Sequence, residues 1–416
     1  MSEALFDVFI ALDGPGLNGF EGPAGIARVR CAPTADRYEK QVRFFEGLAG
    51  GHATQINPQG TVGFLGNMSQ QLLFFDPRTL DELQRFSARR IHHGRAGASY
   101  ESATHVVWLS ERTFVAALGG QFWLFDLDDL DHPQALGPHG VALPHSIKLS
   151  ASRRYLCYGA MDHDRTGYAN QVGIFDLESG RARVVELDAT VWHIGVHPSR
   201  DCFYAPTQRC APQGRMEFAE YVPGHFKNYL YEVEIEGGCG RVSRHLAIPK
   251  DFPAHLTSDV VVSDEEVIYN NPGSAVINAV DLQDFRHVRT IDERVGLGGA
   301  LRNWRSAWSN LLEGLSRVDV LAHTRDFVRA LRMARWSLLD GSYGLQLSPD
   351  RRFLLSAHRG LNQVIVYRWP EGTIARRLGF PPARRFFPRL GLLDDTRLGF
   401  HHSALSIASA QGVAAC

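Results

Sequence analysis

The stretch LFDLDDL at 124–130 decides the fold, because the chain repeats it. FFDPRTL at 74–80 precedes it and IFDLESG at 174–180 follows it, with Asp76, Asp126 and Asp176 at an even spacing of 50. Weaker copies stand at 231–238 (YEVEIEGG), 278–285 (NAVDLQDF) and 364–372 (VIVYRWPEG). Each runs from apolar residues into a polar turn. The reading is an inner strand that ends at the turn, followed by a strand that climbs back. A repeat of this length marks a stacked or radial architecture in which one unit cannot bury its apolar faces alone.

A second element precedes each copy. Its versions are HATQINPQGTVGFLG from His52, HVVWLSERTFVAALG from His105, HSIKLSASRRYLCYG from His145, HIGVHPSRDCFYAP from His193, HLTSDVVVSDEEVIYN from His255 and YGLQLSPDRRFLLSA from Tyr343. Each reads as strand, tight turn, strand. The turns Asn-Pro-Gln-Gly, His-Pro-Ser-Arg and Ser-Pro-Asp-Arg supply residues suited to β-turn positions. Period-2 alternation flanks them. Six such units fit between His52 and Phe380, and a partial seventh at Phe386–Ala410 has room for about three strands. The N-terminal FDVFIALDG, Phe6–Gly14, supplies the fourth strand, which removes the free sheet edges. The expected fold is therefore all-β, a single seven-bladed β-propeller over 1–416, closed by pairing of N- and C-terminal strands.

The strand-turn pattern, LSPDRR at 347–352 in particular, resembles the broad seven-bladed group of lactonase-like and YVTN-type propellers. That resemblance implies the fold and no activity.

One stretch breaks the β pattern. Between Leu301 and Arg335, apolar residues recur at Trp304, Trp308, Leu311, Leu312 and Leu315, the spacing of an amphipathic helix, and a second helix is expected through Phe327 and Leu331. Its polar face is rich in arginine. The insertion is expected to pack on the propeller, to cover its funnel as a lid, or to meet a protein or a surface. A smaller insertion, Arg209–Asn228, carries Phe218, Tyr221 and Phe226.

Composition sets the outer limits. The 416 residues are 44% hydrophobic and 21% charged, with a formal net charge of -1, so no global charge favours nucleic acid or an anionic membrane. Residues 1–14 lack the basic start and apolar run of a secretory signal, and no run of about 18 apolar residues predicts a transmembrane helix. The six cysteines, Cys31, Cys157, Cys202, Cys210, Cys239 and Cys416, form no CxxC pair. Reduced thiols in a cytoplasmic protein are expected.

The histidines carry the functional reading. His52, His105, His145, His193 and His255 each open the first strand of successive units, although histidine fills only 18 of 416 positions. The first strand of a propeller blade is innermost, so equivalent positions converge on the axis. His197 competes with His193 for the fourth unit. Convergent neutral imidazoles suit a transition metal, with iron(II) or copper preferred here and manganese or zinc possible, whereas magnesium and calcium want oxygen ligands. Three or four histidines with an open position make a catalytic site. Glu101, Asp162 and Asp259 are candidate acceptors that would orient the rings, and Asp162, His163 and Glu101 are candidate acid–base groups. Asp164 lies in the same loop as Asp162 and His163. Trp108, Trp192 and Tyr343 are candidate pocket walls. His401 and His402 share a strand, so a regular pleat turns one of them inward; His92 and His93 read as loop residues. The alternative reading makes all these histidines structural.

The arrangement is similar in geometry to carotenoid-cleaving oxygenases, which hold one iron by four blade-borne histidines, and to oligogalacturonate lyases, which hold a metal by histidines on the same fold. No GxSxG elbow, P-loop or dinucleotide fingerprint is present. The expected function is a metal-dependent oxidoreductase on a small organic substrate. A metal-assisted lyase or lactonase-type hydrolase is the second expectation, and a non-catalytic scaffold binding a partner through 301–335 is the third.

Overall fold

A computed structural model of the chain describes residues 6–15, 22–32, 37–91, 104–141, 143–161, 169–207, 229–249, 252, 254, 257–294, 341–390, 392 and 396–407. The insertions at 301–335 and 209–228 lie outside these residues. Seven antiparallel sheets of four strands each form a seven-bladed β-propeller. Among the described residues the helical elements are two short 3-10 turns, Ala88–Arg90 and Ala383–Arg385. No helix among them is long and apolar enough to cross a membrane.

The blades fall into two compact units. The first comprises Met1–Gly119, Trp123–Gln134 and Tyr343–Cys416. One of its sheets orders the strands Phe400–Ile407, Phe6–Leu12, Pro23–Ala32 and Arg37–Ala49. The other three sheets of this unit run in simple chain order, starting from the strands Gly51–Ile56, Val106–Trp108 and Ser342–Leu347. The second unit comprises Gly120–Phe122 and Ala135–Ser342. Its sheets start at Leu143–Leu149, Gly195–Val196 and Val260–Val262.

Sequence period explains how each sheet buries both faces. The strand Phe6–Leu12 is buried throughout. Phe6, Val8, Ile10 and Leu12 join one apolar cluster with Leu355, Val364 and Phe400. Phe9 and Ala11, on the opposite face, join another with Leu65, Leu73 and Phe75. Strict alternation of side chains across the pleat therefore turns one apolar run into the cores on both sides of the sheet. Asp7, the polar residue in that run, accepts hydrogen bonds from Arg30 Nε at 3.1 Å and Nη2 at 3.2 Å.

The repeated aspartates have a common job. Asp76, Asp126 and Asp176 each accept, through Oδ1, the backbone N–H two residues on: Arg78 at 2.7 Å, Asp128 at 2.9 Å and Glu178 at 3.0 Å. A carboxylate that closes its own turn in this way fixes the hairpin between the last two strands of a sheet. The repeat thus marks the third strand, Gln71–Phe75, Gln121–Asp126 and Gln171–Asp176, and not the inner strand that its apolar run implies.

The closing sheet also differs from the expectation in its division of strands. The C-terminus contributes one strand and the N-terminus three. Residues 386–390 form no strand; Pro381, Pro382 and Pro388 withhold the N–H donors a ladder needs. Phe6–Leu12 pairs with the C-terminal strand in the register Val8 with Leu405 and Phe9 with Ala404.

Candidate metal centre

Three of the buried histidines meet within the first unit. His52 lies in the strand Gly51–Ile56, His105 immediately precedes Val106–Trp108, and His402 lies in Phe400–Ile407. Their relative exposures are 6%, 8% and 7%. The ring centroids of His52 and His105, and of His52 and His402, are 5.3 Å apart, and those of His105 and His402 are 6.1 Å apart. These three residues offer ligand atoms that all lie within 4.8 Å of one another.

That spacing can be tested against a metal. Imidazole nitrogen binds such ions at about 2.0–2.1 Å, which separates neighbouring nitrogens by ~3.3 Å and opposed ones by ~4.1 Å. A spread of up to 4.8 Å exceeds those separations by about 0.7–1.5 Å, so closure requires rotamer adjustments of that order. The donor chemistry also fits. Among the described residues no carboxylate or thiolate belongs to the group, and imidazole suits first-row transition metals.

Backbone irregularity aims the rings. The ladder between Gly51–Ile56 and Gly63–Asn67 steps from Gly51–Asn67 to Thr54–Leu65, placing an extra residue on the His52 strand. The C-terminal strand carries another extra residue opposite Ile10–Leu12, beside His401 and His402. In the second unit, Leu143–Leu149 bulges between His145 and Lys148, and Ser146 has a φ of 50°. A bulge re-aims side chains that strict alternation would send to opposite faces. The regular pleat expected at 401–402 would turn only one ring toward the cluster. Instead His401 approaches His52 at 4.5 Å and His402 at 4.6 Å between centroids.

Glycines let the strands converge. A Cβ on Gly51, beside His52, would stand 2.1 Å from the Leu12 carbonyl oxygen, and one on Gly66 would stand 2.0 Å from that of Thr104, beside His105. Thr104 also brings Oγ1 to 3.2 Å from His105 Nδ1. A contact of this kind orients the ring and directs the other nitrogen inward. Burial pushes the His52 imidazole down to about 4, so it is neutral at pH 7 with a lone pair available.

The other candidates from the sequence take different places. His193 is buried, and its ring lies 4.7 Å from that of His145, outside the ligand group. His197 is a turn residue: its Nδ1 accepts the backbone N–H of Ser199 and of Arg200, each at 3.2 Å. Asp259 uses Oδ1 on the Val260 N–H at 3.0 Å. His255, Glu101, Asp162, His163, Asp164, His92 and His93 lie outside the described residues.

Trp108 packs between Phe74 and Phe114, at 6.1 and 5.2 Å, within an apolar cluster, so it is core and not a pocket wall. It lies three positions after His105, an odd step that in extended chain turns the two side chains to opposite faces. Trp192 is also buried, its backbone against Gly159. Tyr343 is the aromatic that reaches the histidines, 5.3 Å from His401.

No family model matches the chain, and no curated protein matches it. Among solved structures, AztD of Citrobacter koseri aligns with 12% identity and a TM-score of 0.48, over 91% of this chain and 82% of that one.

Proposed function

We propose that this chain is a histidine-ligated transition-metal protein, with His52, His105 and His402 as the ligand set. The observation that carries the reading is the convergence of buried, carboxylate-free imidazoles from separate sheets. Iron(II) or copper is the preferred ion, because an all-imidazole set lacks the oxygen donors that hard ions select. When bound, such an ion supplies dioxygen activation or polarisation of a substrate oxygen. The protein's own residues set the conditions for that chemistry. Burial keeps the His52 ring unprotonated, the Thr104 contact fixes His105, and Tyr343 with His401 forms the wall beside the ligands. The sharpest form of the reading is an oxidoreductase acting on a small organic substrate in the cytoplasm.

The test is nitric oxide binding to protein reconstituted anaerobically with iron(II). An open coordination position predicts a half-integer-spin iron–nitrosyl EPR signal that is lost in His52→Ala/His402→Ala. Stoichiometric iron with no nitrosyl signal would argue for a closed structural site. Oxygen-independent turnover would turn the chemistry toward a lyase or hydrolase.

A further inference from the structure

A second feature lies on the first unit, outside the histidine cluster. Residues 373–392 carry five arginines, Arg376, Arg377, Arg384, Arg385 and Arg389, and no aspartate or glutamate. In a chain with a formal net charge of -1, that is a local concentration of one sign. The stretch runs from the strand Thr373–Gly379, the last of its sheet, into the 3-10 turn Ala383–Arg385. There it frames a groove of about 580 Å³, whose walls include Pro381, Pro382, Phe387 and Leu392 together with Arg384 and Arg385.

The groove is held in shape from below. Ala383 is fully buried, and its N–H reaches the Thr396 carbonyl at 2.8 Å. Asn362 Nδ2 donates to the carbonyls of Phe380 and Pro381 at 3.1 and 3.0 Å. Phe44 packs against Phe386 and Phe387, at 5.7 and 4.6 Å between ring centroids. Prolines with fixed φ and packed rings have little freedom left to lose, so a ligand would meet a preorganised surface. Arg384, Arg385 and Arg389 are exposed, and among the described residues no ion pair involves Arg385 or Arg389. Leu390, next to Arg389 in sequence, is 56% exposed.

The two chemistries of the groove select one kind of occupant. Walls of proline, phenylalanine and leucine gain nothing from a bare phosphate chain, whereas they favour an apolar side chain that leaves water. Guanidinium forks at the rim favour carboxylates, which they bind in bidentate geometry. We infer that this groove docks an acidic segment of a partner protein, with an apolar side chain seated against Phe387 and Leu392 and flanking carboxylates on Arg385 and Arg389.

The experiment is fluorescence anisotropy of the full chain with three labelled probes. They are a short glutamate-rich peptide with one central phenylalanine, the same peptide with serine in place of phenylalanine, and a thymidine oligonucleotide of equal charge. Wild type should bind the phenylalanine peptide saturably, and about tenfold more tightly than either other probe. Arg385→Glu/Arg389→Glu should weaken that binding by at least about tenfold. Arg181→Glu/Arg183→Glu, the same change of charge at exposed positions of the strand Arg181–Glu186, should leave it unchanged. Equal affinity for the phenylalanine and serine peptides, or oligonucleotide binding as tight as that of the phenylalanine peptide, would overturn the inference by showing a general polyanion site. No saturable peptide binding, or equal losses in the two double variants, would overturn it as well.

Discussion

Burial governs the protonation of individual histidines, His139 and His52 among them. His139, at 2% exposure against the Phe122 ring, is held down to about 4 by burial, as His52 is. An unfolded chain protonates histidine near pH 6.5. Between that value and about 4 the unfolded state binds more protons, so stability must fall as pH falls through this window. His139→Phe should flatten the pH dependence of the melting temperature between pH 7 and 4, by about 3 kcal/mol at the acid end. An unchanged slope would mean that the ring is solvated in solution. At the same scale, His52→Ala should abolish metal retention, and His197→Ala, which loses only a turn acceptor, should not; metal content after gel filtration separates the two. The histidine register is legible in the sequence because His52, His105 and His145 open homologous strands. The part played by His402 is legible only as an ambiguity, since its orientation depends on a bulge that no periodicity reveals.

Strands converge on the site only where side chains are absent. Gly66→Ala would drive a methyl into the Thr104 carbonyl at 2.0 Å, at a cost of about 1–3 kcal/mol for overpacking. It should also loosen His105 and speed metal loss to a chelator. Gly379→Ala, with nothing within 4 Å of the added Cβ, should leave both unchanged. In the second unit a different device ties neighbouring sheets. Glu232 accepts from Tyr204 Oη at 2.9 Å, Ser243 Oγ at 2.7 Å and Arg244 Nε at 2.9 Å, while Arg244 Nη1 reaches the Leu282 carbonyl at 3.0 Å. Burial raises the Glu232 carboxyl, but these donors outweigh it and hold it at about 2. Arg244→Met removes the closest cation from a buried carboxylate that keeps Tyr204, Ser243 and, at 3.7 Å, Arg200, so urea denaturation should report a loss of about 1–3 kcal/mol; a loss below about 0.5 kcal/mol would show that water solvates Glu232. Such devices hide from a sequence reader. Arg28 is a charged residue inside the strand Pro23–Ala32, yet it is buried with Nη1 on the carbonyls of Pro77 and Arg78 at 2.7 and 2.6 Å. The strands 23–32 and 37–49 escape a reading by pattern because basic and acidic residues interrupt their apolar runs.

Closure and metal binding share a strand at the level of the whole molecule. Phe400–Ile407 both pairs with Phe6–Leu12 and carries His402. Deleting 400–416 should therefore expose the edge of Phe6–Leu12, cost solubility and remove a ligand in one step, whereas His402→Ala should remove the ligand alone; sedimentation together with metal analysis distinguishes them. The seven-bladed fold is readable because the 50-residue spacing of Asp76, Asp126 and Asp176 repeats a turn whose physics is local. The location of Trp108 and Trp192 is not, because pocket and core aromatics look alike until both faces of a sheet are covered. The central claim is that the imidazoles of His52, His105 and His402 bind one transition-metal ion. Its most direct test is elemental analysis by ICP-MS of the untagged chain, after anaerobic reconstitution and desalting, beside His52→Ala/His105→Ala. The account predicts close to one ion per chain in the wild type and none in the variant. Equal metal in both proteins, or none in either, would contradict it.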